Sequence, residues 1–267
     1  MGLAPLWRLR GSSDAETGAA LVEAAEPAPI ESPPPASPHR VPLQEQGVPG
    51  RSAPELPTAA PVFAPPASTG EDVSRLDWDD LESRIRHCDA CGLCKRRKQA
   101  VPGVGDRQAK WLFVGEGPGA EEDERGEPFV GQAGKLLDAM LASINLDRQH
   151  NVYIANAVKC RPPNNRTPET EELAACFPYL KRQIALLQPR LIVALGRPAA
   201  QALLNQEVKI GAARGKLFSH ESIPVVVTYH PAYLLRNLHD KAKAWEDLCF
   251  ARASMASLCG ADARIDG

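Results

Sequence analysis

The feature that most constrains this chain is a short apolar run that stops at a glycine-rich turn. Residues 111–114 (WLFV) are apolar, and residues 115–119 (GEGPG) follow at once. Such a run predicts a buried parallel strand that ends in a loop. Open α/β sheets bind ligands outside the carboxyl ends of their strands, so we expect a crevice at this turn. The turn lacks the glycine spacing of the dinucleotide fingerprint and of the P-loop, which argues against a nucleotide-phosphate site.

Three further apolar runs predict three more strands, at residues 152–158, 191–195 and 225–228. Segments with apolar residues at helical spacing separate the strands. This alternation indicates an α/β fold with a parallel sheet covered by helices on both faces. We predict that Thr167 caps the helix after the second strand, with Pro168 at its first position.

Polar side chains stand at the ends of three of the four predicted strands: Glu116, Asn156 and His230. Because the carboxyl ends of parallel strands lie at one edge of a sheet, we expect these side chains to face one crevice. Three separate loops that aim polar groups at one place indicate a site more strongly than any single loop.

The N-terminal 70 residues differ in composition from the rest of the chain. They contain 14 of the 25 prolines and are rich in Ala, Ser and Glu. Such a segment cannot bury enough apolar surface to offset its chain entropy, so we predict a disordered tail with no specific partner. Its opening, MGLAPLWRLRG, lacks the apolar core of a signal peptide or a membrane span. Residues 71–267 then form one domain, and no membrane partner is expected.

The charge balance gives little indication of a partner. The net charge is -2, and residues 71–267 contain 27 Lys and Arg against 26 Asp and Glu. Any basic footprint for nucleic acid must therefore be local. Residues 95–98 (KRRK) are one candidate, and Arg214, Lys216 and Arg236 are others.

The cysteines suggest a metal site in a reducing compartment. Their number, seven, is odd and no secretion signal accompanies them, so we expect free thiols and a cytoplasmic location. Cys88, Cys91 and Cys94 have the spacing of metal ligands, and Cys160 and Cys176 could complete a set of four. Four thiolates suit tetrahedral zinc or a [4Fe–4S] cluster, and spacing does not separate the two. Alternatively, Cys160 and Cys176 are ordinary buried thiols.

Together, these motifs resemble the family 4 uracil-DNA glycosylases, the iron–sulfur branch of the uracil glycosylase superfamily. The resemblance covers roughly residues 81–258. It rests on HCDAC at 87–91, VGEGPGAEEDERGEPFVGQAG at 114–134, YIANAVKCRPPNNR at 153–166, LIVALG at 191–196 and TYHPAYLLRN at 228–237. The chain lacks the GEQPG turn and the Arg-Arg-Ile-His insertion of a related uracil-trapping branch, which favours a hydrolytic enzyme.

The resemblance implies a three-layer α/β/α sandwich with a four-stranded parallel sheet. It also implies a [4Fe–4S] cluster on the cysteines that match the family's ligands: Cys88, Cys91, Cys160 and Cys176. The expected partner is uracil-containing DNA, and we expect a monomer. The implied activity is to flip uracil out of DNA and hydrolyse its N-glycosidic bond, which leaves an abasic site.

Residue roles follow from the same resemblance. Phe129 would stack on the base, and Asn156 would pair with the uracil edge. Gly117 would leave room for the base, and Asn165 is a further substrate-binding candidate. His230 would stabilise the charge that develops on uracil O2.

The group that handles the attacking water is less directly implied. An Asp in a Gly-Gln-Asp-Pro motif does this in the better-known branch of the superfamily, and Gly117 stands at that position here. We predict Glu122 for this role, with Glu116 shaping the pocket, and Asp123 as the neighbouring alternative.

Two alternatives from other classes remain at this point. One is a module that binds uracil-DNA without turnover, and the other is an iron–sulfur electron carrier. Polar residues at strand ends argue against the carrier, because electron transfer does not require them.

Overall fold

A computed structural model describes residues 73–262, with side chains to residue 259. The predicted tail, residues 1–70, lies outside the described residues. In the part of the chain that the structure describes, no helix has both the length and the apolar character needed to cross a membrane.

One sheet of six strands forms the centre of the fold, in the order β1-β3-β2-β4-β6-β5. The strands are β1 (Val104–Gly105), β2 (Trp111–Gly115), β3 (Val152–Asn156), β4 (Leu191–Leu195), β5 (Leu217–His220) and β6 (Ile223–Thr228). The four inner strands are parallel and are those predicted from the apolar runs. The expected four-stranded sheet is corrected to six strands, because β1 and β5 add antiparallel edges. Edges of this kind carry a weak sequence signal, because β1 has only two residues and two of the four residues of β5 are exposed.

Every residue of β2, β3 and β4 is buried. Phe113 in β2 lies in register with Ile154 on one side and Val193 on the other. A strand covered on both faces needs apolar side chains at every position, which explains why these segments read as continuous apolar runs rather than alternating ones.

Helices cover both faces of the sheet. They are α1 (Trp78–Arg86), α2 (Ala120–Arg125), α3 (Gln132–Ser143), α4 (Thr170–Leu187), α5 (Arg197–Leu204), α6 (Ile210–Ala213), α7 (Pro231–Arg236) and α8 (Lys241–Asp262). One face carries Phe113 and packs against α3 and α8 through Leu141 and Leu248. The other face carries Leu112 and packs against α4 and α5, through residues that include Ile184.

The predicted start of the helix after β3 needs correction. Helix α4 begins at Thr170, and its N-cap is Glu169 rather than Thr167. The Glu172 carboxylate accepts the Glu169 N–H at 2.8 Å and closes a capping box, so Pro168 precedes the helix. The last described elements are α7, a short 3-10 turn at Leu238–Asp240 and α8. The acidic run at 121–124 lies within α2.

Candidate active site

The carboxyl ends of the parallel strands open into one cavity of about 560 Å³. All seven residues predicted to be catalytic or substrate-binding line it: Glu116, Gly117, Glu122, Phe129, Asn156, Asn165 and His230. They come from the loops that follow β2, β3 and β6, which are far apart in sequence. The parallel topology brings them together at one edge of the sheet.

Asn156 presents a free acceptor in this cavity. The residue is only 2% exposed, and its Oδ1 has no hydrogen-bond partner. A Cβ added at Gly115 would lie 2.4 Å from Asn156 Oδ1 and 2.5 Å from Phe129 Cζ. Glycine is therefore required at position 115, and the amide and the ring meet beside it. A buried polar atom without a partner is unfavourable, so this acceptor is suited to a ligand donor.

The Phe129 ring is held in place by its own loop. Phe129 has a φ of 56°, a region that non-glycine residues rarely adopt. Arg148 donates to the Phe129 carbonyl oxygen at 2.9 Å. A Cβ at Gly134 would lie 1.8 Å from the same oxygen, so only glycine lets α3 approach this loop. The ring lies 5.4 Å from the His230 ring, centroid to centroid, at 30° between the planes.

The carboxylate of Glu122 binds backbone. It accepts N–H groups from Gly119 at 3.0 Å, Val130 at 2.9 Å and Gly131 at 3.1 Å. These bonds join the glycine-rich turn to the loop that carries Phe129. They fit a positioning role better than the handling of water, for which Glu122 stays a prediction.

Glu116 has a different environment. Burial raises the pKa of its carboxyl, while a hydrogen bond with Thr167 and the charges of Arg197 and Arg236 oppose that rise. A carboxylate with a raised pKa on a cavity wall is a candidate general base or water-orienting group.

His230 is neutral in this structure at ordinary pH. Burial and, to a smaller extent, the charge of Arg236 lower the pKa of His230 to about 4, while the charge of Glu122 opposes this shift. Its Nδ1 accepts the Ala232 N–H at 3.1 Å as the N-cap of α7. The proton of the neutral ring is therefore on Nε2, which is left to donate to a ligand.

Gly117 and Asn165 both line the cavity, Gly117 from the turn after β2 and Asn165 from the loop after β3. A Cβ at Gly117 would lie 2.7 Å from Val158 Cγ2, so packing alone already requires glycine there. Asn165 accepts a hydrogen bond from Arg161 Nε at 2.7 Å and has a φ of 54°. Their roles toward substrate stay predictions.

Five cysteines surround a second, much smaller cavity. They are Cys88, Cys91, Cys94, Cys160 and Cys176. Several N–H groups point at these sulfurs. Arg97 Nη1 donates to Cys160 Sγ at 3.0 Å, and the Lys159 backbone N–H donates to Cys176 Sγ at 3.2 Å. Across residues 73–262, no group of three or more His, Cys, Asp or Glu side chains has the arrangement of a single-ion site.

Sequence reasoning missed several residues of the main cavity. Arg197 lies two residues after the end of β4. A search for polar residues at the end of this strand, as at the other three parallel strands, would have found it. Tyr229 and Tyr233, which stack at 5.2 Å, flank His230 within its own motif. Asp247 lies outside the cavity and had no sequence signal: it is buried in α8 and accepts a hydrogen bond from Thr228 Oγ1 at 2.7 Å.

Part of the predicted basic footprint is already paired. Lys98 pairs with Glu124, and Arg97 binds Cys160. Arg214 binds Asp247 at 2.8 Å and lies over the Tyr229 ring. Arg236, in contrast, lines the main cavity, where its charge would favour a phosphate backbone.

Several known proteins are similar to this chain in sequence. The sequence model of the Uracil DNA glycosylase superfamily matches residues 102–249. A type-4 uracil-DNA glycosylase of Pyrobaculum aerophilum is 45% identical over 65% of this chain and 92% of its own length. The type-4 uracil-DNA glycosylase of Archaeoglobus fulgidus is 48% identical over 59% of this chain and 82% of its own length. That of Saccharolobus solfataricus is 42% identical over 67% of this chain and 87% of its own length.

The matched region contains the four parallel strands and every residue that lines the main cavity. The relatives are covered over most of their length, so the likeness extends beyond a shared motif. The chain belongs to the uracil DNA glycosylase superfamily, and to its type-4 branch.

Proposed function

We propose that this chain is a monofunctional uracil-DNA glycosylase of base excision repair, which flips uracil out of DNA and hydrolyses its N-glycosidic bond. The observation that carries the proposal is the buried, unpartnered Oδ1 of Asn156 beside the Phe129 ring. A flipped uracil, whose N3–H is a donor, needs such an acceptor together with an aromatic face.

Base selection would reside in the Asn156 amide. Uracil N3–H can donate to Oδ1, while the amide N–H can donate to uracil O4. Cytosine has an acceptor at N3 and a donor at C4, so it would leave both amide groups without partners. Unpaired buried polar groups reject the wrong base strongly.

Leaving-group stabilisation would come from His230. Bond cleavage places negative charge on the uracil ring. The neutral imidazole of His230 can stabilise this charge by donating a hydrogen bond from Nε2 to uracil O2. The Ala232 N–H on Nδ1 fixes the tautomer that can do this. A donor oriented before the reaction lowers the barrier, because no reorganisation is needed as the charge forms.

We assign the attacking water to Glu116 in preference to Glu122. Glu122 is engaged by three backbone N–H groups, whereas Glu116 lines the cavity with a raised pKa. Glu116 would orient the water and stabilise the cationic sugar, and Glu122 would hold the two loops in place. This assignment differs from the prediction made from the sequence, which gave the water to Glu122 and the shaping of the pocket to Glu116.

We propose a [4Fe–4S] cluster at the second cavity, where Cys88, Cys91, Cys160 and Cys176 would hold it. The fit rests on five sulfurs around one small space and on N–H donors directed at two of them. When bound, the cluster would link segment 88–94 to the loop after β3 and to α4. Hydrogen bonds to cluster sulfurs are a usual part of such sites.

The test of the function is a gel assay. An oligonucleotide with one uracil is incubated with the protein and then treated with alkali, which cleaves at an abasic site. Strand cleavage is expected for uracil and not for a thymine control. Binding without cleavage would favour the uracil-DNA binding module, and neither binding nor cleavage would favour the electron carrier.

We further expect no lyase activity. In the region from 73 to 262 no lysine lines the main cavity, and the Lys159 ammonium is buried and bonded elsewhere. Borohydride treatment of the enzyme on uracil-DNA should therefore trap no covalent adduct. A stable adduct would show that an amine attacks the sugar.

The remaining assignments are also proposals. We propose that residues 71–267 form the catalytic domain, that the protein acts as a monomer on uracil-containing DNA, and that it works in the cytoplasm.

A further inference from the structure

Lys159 contacts both candidate sites. It is 2% exposed and directly precedes Cys160. Its Nζ donates to the backbone carbonyl oxygen of Asn156 at 2.8 Å and to Gln183 Oε1 at 2.6 Å. Its backbone N–H donates to Cys176 Sγ at 3.2 Å. One buried residue thus joins the strand end that carries Asn156 to the cysteine cavity.

Two acceptors, the Asn156 carbonyl oxygen and Gln183 Oε1, fix the position of the Lys159 ammonium. Lys159 also lines the same small cavity as the five cysteines.

Asn156 depends on its backbone for orientation, because its Oδ1 makes no hydrogen bond. On one side, Asn156 pairs in register with Gly115, and the Ala157 N–H donates to the Gly115 carbonyl at 2.9 Å. On the other side, the Asn156 carbonyl accepts from Lys159. Gln183 anchors that lysine and itself donates to the Pro102 carbonyl at 2.8 Å.

We propose that Lys159 is a positioning residue that orients Asn156 toward uracil through its hydrogen bond with the Asn156 carbonyl oxygen. The inference rests on the proposed function and deepens it, because it places a determinant of base affinity outside the cavity. Lys159 touches no substrate and acts through the Asn156 backbone.

The test uses Lys159→Met in the full, iron-loaded chain, because methionine fills similar space without a donor. Free uracil is the probe, and its dissociation constant is measured by ligand-observed NMR on protein normalised to iron content. We expect uracil to bind ~10-fold more weakly, as for the loss of one hydrogen bond from a charged group.

Arg182→Met is the matched control. Arg182 lies beside Gln183 in α4, and its Nε donates to the Leu76 carbonyl at 2.6 Å, so the change also removes a bond between a cation and a carbonyl. It should lower the melting temperature and leave uracil affinity unchanged.

A second variant, Gln183→Met, keeps the inference testable if Lys159→Met does not fold. It removes the side-chain anchor of Lys159 and retains every cysteine and Asn156, and we expect ~3-fold weaker uracil binding. Uracil affinity within twofold of wild type, in Lys159→Met or in this substitute, would overturn the proposal. Excision by the wild type tests the proposed function separately, so the two failures are distinguishable.

Discussion

At the residue scale, the pocket is defined by which polar atoms are already bonded and which are left for a ligand. Glu122 has both carboxylate oxygens engaged by backbone N–H groups, and His230 has Nδ1 engaged by Ala232. Asn156 Oδ1 has no partner. The bonded atoms hold the site in shape, and the unbonded one is available for recognition.

His230 should make stability depend on pH. Its pKa is about 4 when folded and 6.5 in its ordinary state, so the unfolded chain takes up a proton first. The free energy of unfolding therefore falls as pH decreases from 6.5 to about 4. His230→Asn should flatten this part of the curve, as measured by urea unfolding between pH 7 and 4. Equal slopes in both proteins would refute a neutral His230.

Replacing Asn156 should change base selection. Asn156→Asp should lower the single-turnover rate on uracil by ~10–100-fold, since one buried hydrogen bond of the pair is lost. A protonated carboxyl can donate where the amide accepts, so slow excision of cytosine is the second expected result. The exposed Asn145→Asp serves as the control and should match wild type. A wild-type rate in Asn156→Asp would mean that uracil binds elsewhere.

At the scale of elements, short helices and loops fix the reacting groups more than the sheet does. Helix α2 places Glu122 where its carboxylate can bond to the turn after β2 and to the loop before α3. Arg148 donates to the Phe129 carbonyl oxygen, and the missing side chain of Gly134 leaves room for that oxygen beside α3. These contacts together sustain the positive φ of Phe129, a strained conformation of the kind found at functional sites.

Replacing Glu116 and replacing Glu122 should have different effects, one on the reaction rate and the other on stability. Glu116→Gln should lower the single-turnover rate by ~10²–10⁴-fold with little change in melting temperature, as for a general base or water-orienting group. Glu122→Gln should lower the melting temperature, because an amide nitrogen cannot accept the backbone N–H groups. The reverse result would return the water-handling role to Glu122, and Asp123→Asn would then be the next variant to measure.

At the scale of the whole molecule, the sheet brings two cavities to its carboxyl edge through the loop after β3. Asn156 begins this loop beside the main cavity, and Cys160 lies four residues later at the cysteine cavity. The Val101 N–H binds the Lys159 carbonyl at 2.8 Å and ties the same loop to the segment before β1. A change at the cysteines is therefore expected to reach the base-binding loop.

Iron content should follow the cysteines that the family uses. Purified protein should be brown, with about four irons per chain, as a four-cysteine [4Fe–4S] site requires. Cys88→Ser should lower the iron content, whereas Cys94→Ser should leave it unchanged, as measured by colorimetric iron assay and visible absorbance. Stoichiometric zinc without visible absorbance would contradict the cluster, and iron loss in Cys94→Ser would change the ligand set.

The sequence by itself determined the four parallel strands and the residues at their ends. A strand buried on both faces must be apolar throughout, so β2, β3 and β4 are visible without any knowledge of their neighbours. Parallel pairing then requires the strand ends to meet, which places Asn156 and His230 in one cavity before any distance is known. Short or exposed edges such as β1 carry no such pattern.

Only the tertiary structure decided which polar groups bind each other. The three N–H groups on Glu122, the Ala232 N–H on His230 and the bond from Lys159 to the Asn156 carbonyl depend on distances of about 3 Å. Hydrogen bonds are that short-ranged, and spacing along the chain does not fix separations to within an ångström. The sequence could therefore predict which residues line the pocket, whereas the packing of the loops determines which of their polar atoms are bonded and which are available to a ligand.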